Sequence, residues 1–328
     1  MRALASLTEA KWFASLVDMK PAQRTNRMRA GAERDAADTI SSRENRWLKR
    51  FRAALHGANS GVDAAIGVEG PHLVEAALGS GARVEAILVS TSGERHLTRL
   101  HLQIPADTTI LRTTDRLFAG LAATEAPQGI AALVHARQAS FDEVTRGCPL
   151  LVVLAGVQDP GNVGTILRTA EAMGATAAAT CTVAGIGTSN PLAPKALRAS
   201  AGSALRLPLV RGASAATLML QLRVAGIKSY AACAAASADF RAETAKGEGS
   251  AAALRPWEID WKGPVALWIG NEGAGLPGEI ARSADARVTI PQAAAQCGVG
   301  AGKVESLNAA AAAAILLYEA AKQRGTLT

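Results

Sequence analysis

Two unbroken apolar runs, Leu150–Ala155 (LLVVLA) and Val265–Ile269 (VALWI), constrain this chain more than any other feature. A strand that is apolar on every side chain must be covered on both faces, the situation of a central strand in a parallel sheet flanked by helices. Residues 175–182 read as a further strand and 288–290 as a short fourth. Helical spacing follows the first run as far as Met173, returns over 195–203, and closes the chain over 306–323. This alternation predicts an open parallel α/β sheet over residues 150–328.

Upstream the pattern is smaller in scale. Trp47, Leu48, Phe51 and Leu55 fall at helical spacing, with Ser41 or Ser42 as the expected cap. Residues 64–68 are apolar, 71–78 read as a helix ending at Gly79, and 84–89, 108–111 and 130–134 read as strands, with a helix over 115–122. These elements predict a small α/β domain over residues 41–136, joined by a polar linker (137–149) to the larger one. Residues 1–40 lack apolar periodicity and are expected to be a flexible extension; 237–255 is expected to be a surface loop.

The core has to be aliphatic and alanine-rich, because aromatics are only 4% of 328 residues while apolar residues are 49%. No apolar run approaches the length of a membrane span, and no signal-peptide pattern is present. Cys148, Cys181, Cys233 and Cys297 are widely spaced, with no C-x-x-C pair. That argues against a disulfide scaffold or zinc finger and fits a reducing cytoplasm. Of the net charge of +7, +6 falls in residues 1–60. Such asymmetry suits an anionic partner, nucleic acid above all, or else a solvated basic end.

Three segments, each just after an expected strand, hold the candidate chemistry, since open α/β sheets bind ligands at the carboxyl ends of strands. The first runs from Val157 to Arg168. Pro160-Gly161 makes a turn, Asn162 is placed to cap the next helix, and Arg168 falls on a different face from Ile166, Ala170 and Met173. Alone it also reads as a capped helix with a surface arginine. The second, Ile269 to Pro277, sets Glu272 among Gly270, Gly273 and Gly275; the glycines permit close approach of a ligand, and the carboxylate is a ligand group or a structural cap. The third opens the last helix with Ser306 and Asn308, a polar pair that also suits capping, followed by six alanines. The dinucleotide pattern G-x-G-x-x-G is absent from the first segment, the loop between the first apolar run and its helix, which argues against a nicotinamide-dependent oxidoreductase.

Together the strings NVGTILRTAEAMGA, WIGNEGAGL and SLNAAAAAAILLYE resemble, in order and spacing, the three signature motifs of the SpoU/TrmH family of RNA ribose methyltransferases, in the SPOUT superfamily. PKALRASAGSALRLPL resembles the family's intervening segment. IGVEGPHLVEAAL with VEAILV resembles the small substrate-binding domain of many members. The resemblance covers residues 41–324. It implies a C-terminal parallel-sheet domain with a trefoil knot, preceded by a small α/β RNA-binding domain. It further implies a cytoplasmic homodimer that uses S-adenosyl-L-methionine (AdoMet), without a metal, to methylate a ribose 2′-hydroxyl, ribosomal RNA being the expected substrate. Transfer RNA, or a non-catalytic RNA-binding protein on the same fold, are the alternatives. By motif match the resemblance implies Asn162, Arg168, Glu272, Ser306 and Asn308 as the catalytic set. It implies Gly270, Asn271, Ile290, Pro291 and Leu307 as AdoMet contacts. The link 292–305 is longer than is usual in the family and falls where the cofactor loop is expected.

No histidine lies near the three segments: His56, His72, His96, His101 and His135 all precede them. Arginine does not accept a proton, so Arg168 is expected to orient the RNA and the hydroxyl, with Glu272 directing the arginine. Arg43, Arg46, Lys49, Arg50 and Arg52 on the first helix are the expected RNA clamp, with Lys195 and Arg198 nearer the site. Few aromatics leave base stacking a minor role.

Overall fold

The computed structural model describes residues 39–58, 64–234, 253–292 and 306–327. The first domain is a five-stranded mixed sheet in the order β1-β4-β3-β5-β2. In chain order its elements are β1 (Thr39–Ile40), α1 (Arg46–Leu55), β2 (Ile66–Glu69), α2 (Pro71–Gly79), β3 (Arg83–Ser90), α3 (Glu94–Leu100), β4 (Thr109–Thr113), α4 (Asp115–Ala119) and β5 (Ile130–His135). Strand alternation sorts its core. Ala131 and Leu133 of β5 face α1, where they meet Leu48, Phe51 and Leu55. Ile130, Ala132 and Val134 face α2 and α3.

The expected extension, residues 1–40, lies almost wholly outside the described residues. Its last two form β1, parallel to β4, so the sheet begins two residues earlier than the sequence suggests. The helix cap also differs from expectation: Asn45, not Ser41 or Ser42, accepts the Trp47 N–H at 2.8 Å.

The second domain contains β6 (Leu150–Ala155), α5 (Pro160–Ala172), β7 (Ala177–Val183), β8 (Ile186–Gly187), α6 (Pro194–Ser200), α7 (Ser203–Arg206), β9 (Leu209–Ser214), α8 (Ala215–Val224), β10 (Lys228–Ala232), β11 (Val265–Ile269), α9 (Gly278–Ser283), β12 (Ala286–Val288) and α10 (Ala309–Arg324). The sheet order is β12-β10-β11-β6-β7-β8, with β9 also on β7. All pairs are parallel except the β7–β8 hairpin. The run 150–155 is buried on both faces, as its composition requires. Leu150, Val152 and Leu154 pack on α5 and α10; Leu151, Val153 and Ala155 pack on α8 and α9.

Several expectations are corrected. Residues 195–203 are not one helix: Ala201 and Gly202, with φ of 48° and 87°, divide α6 from α7. The last helix begins at Ala309, not Ser306, and the edge strand ends at Val288. Elements β9, α8 and β10 were not anticipated. The connection between β12 and α10, where a knot would be closed, includes residues 293–305, which lie outside the described residues, as does most of the expected loop 237–255.

The domains share a core. Leu73, Val74 and Ala77 of α2 belong to the same buried cluster as Leu197 and Ala204. At Gly202 a Cβ would sit 2.4 Å from the Ala76 Cβ.

Candidate active site

Strands β6 and β11 are neighbours, with Leu154 opposite Ile269, and the chain leaves β6 on the opposite side from β11. The strand order therefore reverses between them, which is where an open α/β sheet leaves a crevice at its carboxyl end. The loops that follow, 156–159 and 270–277, meet there.

The first loop is held along its backbone. Thr188 Oγ1 accepts the Gly156 N–H at 2.9 Å, and the Ser189 N–H donates to the Val157 carbonyl at 2.8 Å. The Ser189 hydroxyl donates to the Gln158 carbonyl. From the other side, the Asn271 amide donates to the Gly156 carbonyl at 3.0 Å. The Asn271 oxygen accepts the N–H groups of Gly273 and Ala274 at 2.9 and 3.0 Å, closing its own turn. The Asn271 backbone is engaged as well, its N–H and carbonyl exchanging bonds with Gly275 at 3.0 Å each, so the whole residue holds the two loops together. Gly270 is required by packing, since a Cβ there would lie 2.4 Å from the Gly275 carbonyl carbon and the Leu276 nitrogen. Gly275, with φ of 71°, faces open space.

Asn162 does not cap α5. Asp159 does, accepting the Gly161 N–H at 2.6 Å, with Pro160 at the first helical position where its missing N–H costs nothing. Asn162 is the third residue of the helix, within its first turn, and its side chain is free of the capping role. Its amide donates to Glu272 Oε1 at 3.0 Å, and its oxygen accepts from the Asn308 amide at 3.1 Å. Asn308 caps α10, accepting the N–H groups of Ala310 and Ala311 at 2.8 and 3.3 Å. Glu272 also accepts the backbone N–H groups of Gln158 and Asp159 at 3.2 and 3.1 Å. Burial pushes the Glu272 carboxyl pKa up. Hydrogen bonds from Asn162 and from the backbone of Glu272, Gln158 and Asp159 outweigh it, and the net shift is downward.

Three of the five expected catalytic residues are thus joined in one line, Asn162 lying 110 and 146 residues away in sequence from its two partners. The other two are not. Arg168 is exposed and makes no side-chain hydrogen bond or ion pair among the described residues. It lies six residues beyond Asn162, roughly 9 Å along the helix axis. Glu272 therefore does not direct Arg168; it directs Asn162. Ser306 is exposed beside the link 293–305, which lies outside the described residues, and Ile290, Pro291 and Leu307 flank that link from both ends.

Lys195 reaches back to Asp159 at 3.1 Å, and the Gly161 N–H and Lys195 together hold the Asp159 carboxyl below its ordinary pKa. Asp159 was missed as a site residue, although Asp directly before Pro is a legible cap signal. Arg198 is exposed one turn further along α6. In the first domain Arg43, Arg46, Lys49, Arg50 and Arg52 are all exposed on or beside α1. No group of three or more His, Cys, Asp or Glu among the described residues is placed to hold a metal ion, and no described helix is long and apolar enough to cross a membrane.

Residues 149–318 match the SpoU rRNA Methylase family, and residues 63–132 match the MRM3-like substrate binding domain. The 23S rRNA (guanosine(2553)-2′-O)-methyltransferase RlmP of Bacillus subtilis is 32% identical over 76% of this chain and 86% of its own length. The 23S rRNA (guanosine-2′-O-)-methyltransferase RlmB of Ralstonia nicotianae is 31% identical over 68% of this chain and 78% of its own. Among solved structures, an AdoMet-bound rRNA methyltransferase from Sinorhizobium meliloti superposes with a TM-score of 0.70 at 28% identity, covering 88% of this chain and 98% of that one. The SpoU methyltransferase AviRb from Streptomyces viridochromogenes, in complex with AdoMet, gives 0.68 at 25% identity, covering 87% and 100%.

Proposed function

The chain belongs to the SpoU rRNA methylase family, and on that footing we propose that it methylates a ribose 2′-hydroxyl of ribosomal RNA with AdoMet as donor. The observation that carries the reading is the line Glu272–Asn162–Asn308, which brings one polar residue from each motif to the carboxyl end of the sheet.

The residues present fit AdoMet in one respect the structure can test. The loop after β11 offers bare glycine backbone to open space at Gly275, at the strand ends where such folds take ligands. Gly270, Asn271, Ile290, Pro291 and Leu307 would hold the cofactor. When bound, AdoMet supplies a sulfonium-activated methyl group, so no metal is needed for the transfer.

The chain's own task is alignment. Glu272 sets the direction of the Asn162 amide, and Asn162 sets that of Asn308. Each asparagine keeps one amide N–H for the ribose or its developing alkoxide. Ser306, at the head of the same helix, is the further hydroxyl of the set. Arg168 stands apart from this line, so we assign it to the RNA side of the reaction, in a site completed across a homodimer. The same reading places the protein in the cytoplasm.

The test is transfer of labelled methyl from AdoMet to ribosomal RNA by the purified chain, with ribose methylation mapped by resistance to alkaline cleavage. AdoMet binding seen by calorimetry without any transfer to ribosomal RNA would overturn the substrate assignment. No AdoMet binding would overturn the activity.

A further inference from the structure

Four of the five cations that read as one clamp differ in what holds them. Lys49 is paired with Glu44 at 2.5 Å, a local pair at the surface. Arg52 reaches the Gly120 carbonyl at 3.4 Å. Arg46 stands 5.8 Å from the centre of the Trp47 ring. Arg50 is fixed by two separate partners. Its Nη1 and Nη2 donate to Oε1 and Oε2 of Glu85 at 2.6 and 2.9 Å, the two-pronged geometry that orders a guanidinium plane. Its Cζ lies over the Trp47 ring, 4.9 Å from the centroid. Glu85 is itself held from the other side by His135 Nε2 at 2.9 Å.

Arg50's hydrogen bond is the largest influence on the Glu85 carboxyl. It overcomes the upward push of burial and, with His135, brings the pKa down to about 2. The pair is therefore ionised and mutually neutralised at any working pH. Glu85 is only 20% accessible, yet 47% of the Arg50 side chain remains open. Trp47 lies on one side of the guanidinium and Glu85 along one edge, and nearly half of the side chain stays accessible.

A cation whose charge is already cancelled is a poor phosphate ligand. A planar guanidinium already ordered is a good surface for an unstacked base, because the rotamer entropy of a free arginine has been lost before RNA arrives. We propose that Arg50, backed by Trp47 and clamped by Glu85, is a stacking platform for an unpaired base of the RNA substrate and not a phosphate contact. This deepens the reading of the protein as an RNA methyltransferase and rests on it. It also revises the expectation that stacking plays little part: aromatics are few, but a guanidinium plane serves.

The experiment measures binding of the full chain to a single-stranded oligoribonucleotide, and to the same sequence held in a duplex, across a salt series. Arg50→Lys keeps the charge and a bond to Glu85 but removes the plane. It is expected to weaken single-strand binding on the order of tenfold, with an unchanged salt slope and unchanged duplex binding. Glu85→Gln uncovers the Arg50 charge and is expected to steepen the single-strand salt slope by roughly 0.7. Single-strand affinity unaffected in Arg50→Lys would overturn the platform, and so would an equal loss on duplex or a loss with a shallower slope. Should Arg50→Lys lose its fold, an unaltered slope in Glu85→Gln overturns it instead. Wild-type protein that binds no RNA would defeat the RNA reading itself. Neutral variants of a wild type that does bind RNA would defeat the platform alone.

Discussion

Replacing Glu272 by Gln changes one oxygen to an amide and conserves shape, yet the surrounding hydrogen bonds do not permit it without loss. Besides its own backbone N–H, the carboxylate accepts from three donors: the N–H groups of Gln158 and Asp159 and the amide of Asn162. A glutamine has one acceptor oxygen. At the Oε1 position it keeps the Asp159 N–H and the Asn162 amide, and its NH2 meets the Gln158 N–H. At the Oε2 position it keeps the Gln158 N–H, and its NH2 faces the Asp159 N–H and the Asn162 NH2. Asn162 could turn over only by setting its NH2 against that of Asn308, whose oxygen holds two N–H groups of α10. In either setting at least one donor loses its acceptor. An unsatisfied buried polar group costs about 1–3 kcal/mol. Here the groups are half-buried to exposed, so about 1 kcal/mol is expected, a fall of roughly 2–4 °C in Tm. The effect on reaction is larger, since displacement of aligned groups by about 1 Å costs on the order of 100-fold. Glu272→Gln should therefore lower kcat for methyl transfer by about that factor while the protein stays folded. The assay is single-turnover transfer of labelled methyl at saturating RNA, beside a thermal melt. Full kcat in the glutamine variant would refute the polarity argument. The acid limb gives a second check. The native Glu272 pKa is depressed, so its stabilisation is complete above the unfolded value of about 4.3 and is lost as pH falls through the lower native value. The glutamine variant should lack that share of the slope.

Arg168→Ala should abolish methyl transfer and leave AdoMet affinity within a few-fold by calorimetry, because Arg168 stands apart from the cofactor loops; a matching loss of AdoMet affinity would contradict this. Gly270→Ala should destabilise the protein by about 1–3 kcal/mol and weaken AdoMet binding, since the added Cβ meets backbone at 2.4 Å on the neighbouring turn; an unchanged melt would show that the loops separate readily. Lys195→Ala should leave Tm unchanged, its pair with Asp159 being exposed, and should lower the salt slope of RNA binding by roughly 0.7; an unchanged slope would remove it from the RNA path.

Legibility followed side-chain size and range. The runs 150–155 and 265–269 were plain because every residue is apolar and every one is buried. Strand β9 was not, since LVRGAS holds two large apolar residues and bends at Gly212, with φ of 78°. Strand β10 was hidden for a related reason: KSYAA buries one large side chain, Tyr230, between serine and alanine, and a single such residue marks no period. For α8 a signal existed in Leu218, Met219 and Leu222, at helical spacing. The three motif residues could be singled out one at a time, but their bonding could not. Which of Glu272's neighbours it meets depends on β11 lying beside β6, a strand order set by long-range packing. The pairing of Glu272 with Arg168 failed on this account, as did the capping role given to Asn162.

Proton accounting around the same line limits what can remove the 2′-hydroxyl proton. Ionised Glu272 only accepts, Asn162 and Asn308 relay that polarity, and the α10 N–H groups fix the far end. Every group the line has left to offer is an amide N–H donor. Donors lower the energy of an alkoxide but take no proton. Glu272 is engaged by three donors and shifted downward, which makes it a weak base, and Arg168 stays protonated. The histidines all lie in the first domain, on other elements. Among the described residues the line thus offers no base, and the proton is expected to leave to solvent or to the RNA's own phosphate; the single-turnover rate should then climb steadily from pH 6 to 9 without the plateau a protein base would impose. Added buffer base should accelerate it if solvent is the acceptor, and should have no effect if the phosphate is. A bell-shaped profile with an acidic limb near the ordinary histidine value of about 6.5 would show that a histidine reaches the site, and that the line of donors is not the whole of the machinery.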